Sequence, residues 1–456
     1  MTAHPNVLAM IGDTPMVALA RLETGPCRLF AKIESQNPGG SIKDRIGLSM
    51  IEAAERSGAL RPGGTVVEAT AGNTGLGLAL VAAIKGYRLI IVMPDKMSQE
   101  KVFHLRALGA EVRMTRSDVA KGHPEYYQDL AERLAAELGA FYVNQFANPA
   151  NPLAHETGTG PEIWQQMNHD LDAVVIGVGS GGTLTGIGRF LRRVAPEVEI
   201  VLADPEGSVL AEAVATGRVR DEVGSWLVEG IGEDFIPPVC DLSLVNRAYT
   251  IPDAEAFTVA REVLAKEGLL VGSSAGTLIA AALRYCREQT EAKRVVTLVP
   301  DSGNKYLSKM YNEFWMIDQG FVEREARGDL ADLIARRHGQ REDYTVGPED
   351  SLLTAYSRMK LYDVSQLPVL EDDRIVGIVD ETDILMRVCG DDENRFRDPV
   401  RSAMTTRLET LPASASIEAL LAIFAKGHVA IVMEADTFLG LITPIDLLNH
   451  LRRRMK

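Results

Sequence analysis

The chain has 456 residues, of which 46% are hydrophobic and 24% are charged, and its formal net charge is −15. This apolar share is typical of packed globular proteins and excludes wholesale disorder. An acidic chain without a long basic run argues against nucleic acid as a main partner and against binding to an anionic membrane surface.

The sequence also gives no sign of export or of membrane insertion. No stretch approaches the ~20 apolar residues of a membrane-spanning helix, and the N-terminal segment lacks the pattern of a signal peptide. The four cysteines lie far apart without a C-x-x-C pair, which predicts neither a disulfide scaffold nor a zinc site. We therefore expect a cytoplasmic protein without a metal site.

Residues 1–317 alternate between short apolar runs and Ala-rich stretches of helical character. The runs include TVVEAT, LIIVMP, DAVVIGVG, EIVLADP and RVVTLVP, and each is bounded by Gly or Pro. Such runs are typical of strands that are buried on both faces. The alternation predicts an α/β domain with a parallel sheet covered by helices on both faces.

A charged segment, residues 318–342, follows and is predicted to be a linker. Two similar units come next, residues 343–395 and 396–456. Each contains a helix, a strand, an acidic turn, a second strand and a further helix in the same order. This repetition predicts a pseudo-symmetric pair of domains that share a buried face, and not two unrelated hairpins.

The segment NPGGSIKDR places Lys43 in the first turn of a predicted helix. Because a helix N-terminus carries partial positive charge, an ammonium group is disfavoured there. The residues alone allow two interpretations: an ordinary solvated lysine, or an amine of lowered pKa suited to Schiff-base chemistry.

Two glycine-containing loops each lie between a predicted strand and a predicted helix: Thr70–Gly75 and Gly177–Thr183. Small residues let backbone N–H groups approach an anion at a helix N-terminus. The first loop suits a substrate carboxylate or is an ordinary turn, and the second has the composition of a phosphate-binding loop.

The second loop also satisfies G-x-G-x-x-G, at Gly177, Gly179 and Gly182, and Asp204 ends the next strand about 20 residues later, as in dinucleotide-binding folds. Two facts weaken this alternative. The pattern lies in the middle of the chain, and the segment around Lys43 would have no role in hydride transfer.

The order of four motifs, NPGGSIKDR, TAGNTG, GSGGT and PDSGN, resembles the β-family of pyridoxal phosphate (PLP) enzymes, which contains cysteine synthases and cystathionine β-synthases. The resemblance covers residues 5–317 and implies fold type II, with two open parallel-sheet subdomains. The C-terminal repeats resemble a pair of CBS domains (a Bateman module). This combination favours the cystathionine β-synthases over plain cysteine synthases.

The resemblance implies a role for each motif. Lys43 would bind PLP covalently, Asn73 would bind its ring hydroxyl, and Ser302 would face its pyridine nitrogen. The PLP phosphate would be bound by Gly179, Ser180, Gly181, Gly182 and Thr183. The substrate carboxylate would be bound by Thr70, Ala71, Gly72, Asn73, Thr74 and Gln145. A neutral hydroxyl at Ser302 would not hold the ring nitrogen protonated, which suits β-replacement.

The implied reaction condenses L-serine with L-homocysteine to give cystathionine. Lys43, as a neutral amine, would remove the Cα proton and would protonate the departing hydroxyl. The homocysteine thiolate would then add to the β-carbon. Release of hydrogen sulfide from cysteine plus homocysteine is an expected side reaction.

The sequence departs from the family pattern at three places. Ala71 replaces a common serine and removes one hydroxyl donor. Glu233 stands where animal and yeast cystathionine β-synthases have tyrosine; we expect it, with Asp234, to meet the ammonium of homocysteine, and a solvated acidic loop is the alternative. The G-D-T-P motif, Gly12–Pro15, comes so early that we expect no haem, unlike in the animal enzymes.

The CBS repeats differ at the residues where an adenosyl ligand would bind. The second repeat has G-h-h-T-x-x-D in full, with Thr443 and Asp446, whereas the first has Asp380 ahead of Asp383. Asp380 would repel a phosphate, so S-adenosylmethionine would be tolerated better than ATP. A ligand-free pair that mediates only subunit contacts is an equal alternative.

The sequence therefore predicts a PLP-dependent member of the cystathionine β-synthase family that forms a homodimer or homotetramer. The nearest alternative is a cysteine synthase that uses O-acetylserine or serine with sulfide. An NAD-dependent oxidoreductase, and a nucleotide sensor with an inactive catalytic domain, fit the intact segment around Lys43 less well.

Overall fold

The structure, a computed structural model, describes residues 3–70, 72–95, 99–119, 122–220, 223–324, 326–341, 343–389 and 393–454. It divides the chain into two units, Met1–Tyr311 and Asn312–Lys456. The first unit therefore ends a few residues before the expected boundary at residue 317. Among the described residues, each helix is too short or too polar to cross a membrane.

The first unit contains the alternating strands and helices expected from its apolar runs. The strands are β1 (Met16–Ala18), β2 (Arg28–Lys32), β3 (Thr65–Ala69), β4 (Arg88–Pro94), β5 (Glu111–Thr115), β6 (Phe141–Tyr142), β7 (Ala173–Gly177), β8 (Glu199–Pro205), β9 (Arg247–Ile251) and β10 (Arg294–Leu298). The helices are α1 (Lys43–Ser57), α2 (Asn73–Lys85), α3 (Gln99–Ala107), α4 (Tyr127–Leu138), α5 (Ala150–Ala154), α6 (Gly160–Gln166), α7 (Gly182–Val194), α8 (Leu210–Thr216), α9 (Asp253–Glu267) and α10 (Ser273–Arg287).

These strands form two separate sheets. A six-stranded sheet has the order β1-β2-β10-β7-β8-β9, in which β1 is antiparallel to β2 and the other neighbours are parallel. A four-stranded parallel sheet has the order β5-β4-β3-β6. Four consecutive residues of β7, Ala173 to Ile176, are fully buried, because helices cover both faces of the sheet. The predicted α/β architecture with two parallel-sheet subdomains is confirmed.

Two glycines bring α1 and α2 into close backbone contact. A Cβ atom at Gly77 would lie 2.6 Å from the carbonyl oxygen of Lys43, and one at Gly47 would lie 2.8 Å from the carbonyl carbon of Gly77. Only glycine allows this approach without displacement of one helix. The contact places Lys43 and Asn73, the first residues of the two helices, near each other.

A buried group of ion pairs holds α1 against β2 and α6. Arg45 pairs with Glu34 at 2.7 Å and with Glu162 at 2.6 Å, and Lys32 pairs with Glu162 at 2.7 Å. Lys32 and Glu34 are fully buried. Loss of one member of such a group leaves an uncompensated buried charge, which typically costs about 3–5 kcal/mol. The group therefore fixes the position of the helix that begins with Lys43.

The second unit contains two small sheets flanked by helices. Its strands are β11 (Gln366–Glu371), β12 (Arg374–Asp380), β13 (Thr410–Pro412), β14 (Ala430–Glu434) and β15 (Thr437–Ile442). Its helices are α11 (Glu313–Asp318), α12 (Leu352–Tyr362), α13 (Glu381–Val388), α14 (Ile417–Phe424) and α15 (Pro444–Arg454). Each repeat has an antiparallel hairpin, β11–β12 or β14–β15, which is interrupted by a register shift.

The two repeats correspond in detail. In the first, Val346 forms a parallel bridge to Val369, and in the second β13 pairs in parallel with β14. This correspondence agrees with the repetition seen in the sequence. Part of the segment that we expected to be a linker belongs instead to a folded repeat. Leu330, Leu333 and Ile334 are buried in the core of the second repeat.

Candidate functional site

Lys43 begins α1 directly after the Pro-Gly-Gly turn. The Ser41 hydroxyl oxygen accepts a hydrogen bond from the backbone N–H of Lys43 at 3.2 Å. Burial lowers the pKa of the Lys43 ammonium to about 8, and the nearby Glu233 carboxylate opposes this shift only in part. When the pKa of a lysine is lowered, a larger fraction of its amine is neutral near pH 7. A nucleophile or a base must be in this neutral form.

The glycine-rich loop before α7 forms a cradle that side chains would fill. Gly181 has a φ of +88°, and a Cβ atom there would collide with Cys240. A Cβ atom at Gly182 would collide with the Asn151 carboxamide, and one at Gly179 would lie 2.5 Å from the carbonyl oxygen of Gly230. In the described part of the chain, no backbone acceptor is found for the N–H groups of residues 179–183. They are free to bind an anion at the helix N-terminus.

Two side chains of this loop are held by buried neighbours. Asn151 donates a hydrogen bond to the Ser180 hydroxyl at 2.9 Å, and Thr183 lies 3.2 Å from His155 Nε2. The Nδ1 atom of His155 lies 2.9 Å from the Thr159 hydroxyl. Burial lowers the pKa of His155 well below its usual value, so the ring is neutral. The sequence analysis did not foresee this contact between His155 and the loop.

The loop after β3 and the residue Gln145 lie together. Thr74 donates a hydrogen bond to Gln145 Oε1 at 2.7 Å, and the Thr70 hydroxyl accepts one from the N–H of Gly72 at 3.2 Å. Ala71 lies outside the described residues. Beneath the loop, the buried Glu68 carboxyl accepts the N–H of Gln145 at 3.2 Å, and burial raises its pKa to about 8. At neutral pH this carboxyl is therefore largely protonated.

Asn73 belongs to a cluster with two residues that the sequence analysis missed. Its side-chain amide donates to Asp301 at 2.8 Å, and its oxygen accepts from Lys305 at 2.6 Å. The half-buried Ser302 lies beside Asp301 and accepts the N–H of Asn304 at 3.3 Å. The quoted motif PDSGN contains Asp301, but no local pattern indicates that Lys305 reaches Asn73.

Ser302 and Lys305 also line a cavity of about 680 Å³. Its walls include Gly40 from the turn before Lys43 and Lys101 from α3. Lys43 and the glycine-rich loop do not belong to its lining. The cavity therefore lies on the Ser302 side of the site, beside the cluster around Asn73.

Glu233, which the sequence analysis assigns to the ammonium of homocysteine, lies close enough to Lys43 for an electrostatic interaction. Its backbone is held by Ser208, which accepts the N–H of Glu233 at 3.1 Å. Burial raises the pKa of Glu233 well above its usual value, Asp234 raises it further, and Lys43 opposes the rise. Asp234 itself is exposed. Two tyrosines of the small sheet's subdomain, Tyr126 and Tyr127, interact electrostatically with this acidic pair.

A second acidic residue of the same loop joins the two subdomains. Glu229 pairs with Lys101 of α3 and, at 2.6 Å, with Lys309. Burial alone would raise the pKa of Glu229, but the two ammonium groups lower it overall. The three residues are far apart in the sequence, so no spacing could have indicated the cluster.

Asp204 lies near the carboxyl end of β8, as a dinucleotide fold requires, but its carboxyl group bonds to the protein backbone. It is fully buried, and its carboxylate accepts the N–H of Ala211 at 2.8 Å in the first turn of α8. Burial raises its pKa to about 6. Because the carboxylate stabilises its own neighbouring helix, it is not presented to a ribose. This geometry argues against the oxidoreductase alternative.

In the second unit, the expected ligand residues cap helices. Asp380 accepts the N–H of Asp383 at 2.7 Å, and Asp383 accepts the N–H of Asp380 at 3.1 Å. In the second repeat, Asp446 accepts the N–H of Thr443 at 2.7 Å. The two repeats thus place equivalent carboxylates at the starts of α13 and α15. No group of three or more metal-ligating side chains occurs in the part of the chain that the structure describes.

Comparison with known proteins agrees with this geometry. Residues 7–301 match the family of pyridoxal-phosphate dependent enzymes, and residues 339–390 and 400–453 match the CBS domain. The chain is similar to the cystathionine beta-synthase of Oryctolagus cuniculus, with 39% identity over 99% of this chain and 85% of that protein. It is also similar to a cysteine synthase of Staphylococcus aureus, with 42% identity over 66% of this chain and 95% of that protein.

A solved structure shares the fold of the first unit. It is that of a hydrogen sulfide-producing enzyme from Fusobacterium nucleatum, with a TM-score of 0.62 and 36% identity over 67% of this chain and all of that chain (100%). The similarity to the rabbit protein extends over both units of this chain, including the CBS pair. The chain therefore belongs to the cystathionine β-synthase family of pyridoxal-phosphate dependent enzymes.

Proposed function

We propose that the protein condenses L-serine with L-homocysteine to cystathionine in a PLP-dependent β-replacement. The observation that carries this proposal is the position of His155 between the two parts of the site: it is close enough to Lys43, whose pKa is lowered, for an electrostatic interaction, and it lies 3.2 Å from Thr183 in the anion cradle at the start of α7. Bound PLP would withdraw electrons from the Cα atom of the substrate, a chemistry that protein side chains lack.

The residues around Lys43 fit each part of PLP. The free N–H groups of residues 179–183 suit the phosphate, together with the hydroxyls of Ser180 and Thr183. One N–H of Asn73 is available to the ring oxygen, since the other donates to Asp301. The Ser302 hydroxyl suits the pyridine nitrogen.

Lys43 has the properties of the base. With a pKa of about 8, a useful fraction of the amine is neutral near pH 7 and can take the Cα proton of serine. The resulting ammonium would then give a proton to the departing β-hydroxyl. Both transfers require Lys43 to be free when serine is bound.

The substrate carboxylate would bind where donors outnumber negative charges. We assign it to Thr70, Ala71, Gly72, Asn73, Thr74 and Gln145. Gln145 uses its oxygen to accept from Thr74, which leaves its N–H donors for the carboxylate. The raised pKa of Glu68 supports this assignment, because a protonated carboxyl does not repel the substrate.

Glu233, with Asp234, would recognise the second substrate. Homocysteine carries an ammonium group that sulfide lacks, and its positive charge would favour ionisation of Glu233, whose pKa is otherwise raised by burial, so that the two groups can pair. We expect Glu233→Gln to raise the KM for homocysteine while the kinetics with sulfide stay unchanged. Unchanged homocysteine kinetics would assign Glu233 to an acidic loop without a substrate contact.

A second candidate activity is cysteine synthesis from O-acetylserine or serine with sulfide. The similarity to the Staphylococcus aureus cysteine synthase, which covers 66% of this chain, favours it. Release of hydrogen sulfide from cysteine plus homocysteine belongs to the same chemistry. The preferred sulfur nucleophile, homocysteine or sulfide, decides between the two candidate activities.

The proposal includes the organisation of the whole chain. We assign the catalytic domain to residues 1–317, a linker to 318–342, and CBS domains to 343–395 and 396–456. Exposed apolar side chains on the CBS helices support a homodimer or homotetramer: Leu361, Leu385, Met386, Ile445 and Leu448. Four free cysteines support a cytoplasmic location.

Two ligand assignments complete the proposal. Asp383, Thr443 and Asp446 would contact an adenosyl ligand such as S-adenosylmethionine. PLP would be the cofactor, without haem, so the purified protein would show no Soret band. Isothermal titration with S-adenosylmethionine and with ATP tests the first assignment, and a stronger response to ATP would contradict it.

An absorption spectrum tests the reaction. We expect a visible band of bound PLP that shifts with L-serine and returns with homocysteine, and that is absent in Lys43→Ala. A shift with serine that only sulfide reverses would establish the cysteine synthase. Absence of the band in the wild-type protein would overturn the PLP assignment.

A further inference from the structure

The side chain of Asn73 is held at both ends within one polar cluster. Its amide nitrogen donates to Asp301 Oδ2 at 2.8 Å, and its oxygen accepts from Lys305 Nζ at 2.6 Å. Lys305 also donates to the carbonyl oxygen of Gly40 at 3.3 Å, and Tyr306 donates to Asp301 Oδ2 at 2.9 Å. The cluster thus connects the start of α2, the loop after β10 and the turn before Lys43.

The partners define which way the carboxamide of Asn73 points. A lysine ammonium can only donate hydrogen bonds, and an ionised carboxylate can only accept them. The amide oxygen must therefore face Lys305, and the amide nitrogen must face Asp301. A rotation by half a turn would bring like partial charges together at both ends.

The anchors of the cluster are buried and closely packed. Asp301 is 1% exposed and Tyr306 is 2% exposed. A Cβ atom at Gly272 would collide with the Asp301 carboxylate, so the backbone leaves this carboxylate no free space on that side. Lys305 lies 3.9 Å from Asp301, which balances the buried negative charge.

We propose that Lys305 is a positioning residue, which holds Asn73 so that an N–H and not an oxygen faces the ring oxygen of PLP. The inference rests on the proposed function of Asn73. The amide nitrogen has two hydrogens, of which Asp301 takes one. The second is left for the ring oxygen, whose negative charge a carbonyl oxygen would repel.

The test is a double-mutant cycle on PLP binding. Lys305→Met and Asn73→Ala are compared singly and together, by equilibrium dialysis of PLP against cofactor-free protein. We expect Lys305→Met to weaken PLP binding about fivefold, as for the loss of one hydrogen bond. In the Asn73→Ala background, the same change should have no further effect, because Lys305 acts only through Asn73.

Two further variants separate positioning from stability. Lys305→Arg keeps a donor for Asn73 and should stay within about twofold of the wild type. Lys293→Met is a matched control, since Lys293 forms a 2.7 Å ion pair with Glu199 at the other end of β10. It should leave PLP binding unchanged. Should Lys305→Met fail to fold, Lys305→Gln enters the same cycle.

The outcomes are distinct. Full additivity of the two losses would overturn the role of Lys305 while leaving the proposed function intact, as would unchanged binding in Lys305→Met. A wild-type protein that does not bind PLP at all would overturn both. The visible absorption band gives an independent readout, and it should move in Lys305→Met but not in Lys293→Met.

Discussion

The helices of the two units begin in different ways. In the first unit, α1, α2 and α7 have no side-chain hydrogen bond from the N-cap residue, and the N-caps of α2 and α7 are Gly72 and Gly181. In the second unit, α12, α13 and α14 are capped by the side chains of Ser351, Asp380 and Ser416.

An uncapped helix start can bind an anion, whereas a capped helix start is more stable. A side-chain cap satisfies backbone N–H groups and stabilises a helix by about 1 kcal/mol. A glycine N-cap leaves the same groups open to an anion, at the expense of that stabilisation. At the starts of α2 and α7, where substrate and PLP would bind, no N-cap side chain uses the backbone donors, whereas α12, α13 and α14 use such donors within their own repeats.

Filling the cradle at the start of α7 should have the largest effect on PLP binding. A Cβ atom in Gly182→Ala would collide with the buried Asn151, which also holds Ser180. The displaced loop would lose hydrogen bonds to the phosphate, each worth about 1.5–3 kcal/mol, so PLP binding should weaken by up to about 100-fold. Equilibrium dialysis of PLP against cofactor-free protein measures the loss.

The control for this prediction is another glycine without neighbours. A Cβ atom at Gly339 would meet nothing within 4 Å, so Gly339→Ala should bind PLP normally. Equal affinity in Gly182→Ala and the wild type would show that the start of α7 is not the phosphate site.

The pH dependence of PLP attachment tests the lowered pKa of Lys43 at the start of α1. Only the neutral amine of Lys43 is a nucleophile, and its pKa is about 8. The rate of covalent attachment to cofactor-free protein should therefore fall about tenfold per pH unit below 8 and level off above it. Stopped-flow absorption measures this rate. A rate that keeps rising to pH 10 would indicate an ordinary lysine pKa.

Removal of PLP should affect the two units unequally. A ligand that binds only the folded first unit, at about 100 times its Kd, stabilises it by about 2.7 kcal/mol. Scanning calorimetry should show one transition that moves to lower temperature without PLP and another that does not. A parallel shift of both transitions would contradict the separation of binding from stability.

Much of the fold was predictable because it depends on local composition. Buried strands such as β7 read as apolar runs, and the glycine-rich loop reads as a cradle for an anion. The sequence singled out Glu233 as a departure from the family pattern, and the structure places it close enough to Lys43 for an electrostatic interaction. Each of these features lies within one short segment or follows a family motif.

The remaining features depend on contacts between distant segments. Lys305 reaches Asn73, and Lys101 and Lys309 reach Glu229, through side-chain geometry that no spacing reveals. Asp204 had the spacing of a ribose ligand, yet it supports α8, because the local backbone turns its carboxylate toward that helix. The spacing of Asp204 in the sequence is the same for a ribose ligand and for a residue that stabilises α8, so the sequence could not distinguish the two roles.

The smallest effect is expected at the cap of α13, where the two repeats differ. Asp380 accepts the N–H of Asp383 at 2.7 Å and forms a capping box with it, whereas the second repeat has Thr443 at the equivalent position. Asp380→Ala should lower the free energy of unfolding of the second unit by about 1 kcal/mol, as measured by urea denaturation. Asp380→Thr keeps an oxygen acceptor and should lower it by less than about 0.5 kcal/mol.

Neither change should alter PLP binding, because Asp380 belongs to the second unit. Thr382→Ala, in the exposed first turn of the same helix, is the matched control and should leave the unfolding free energy nearly unchanged. If Asp380→Thr destabilises the unit as much as Asp380→Ala, the carboxylate charge matters at the helix N-terminus and not the hydrogen bond alone. In that case the negative charge of Asp380 at the helix N-terminus stabilises α13, whereas the hydrogen bonds of the cap alone stabilise α15.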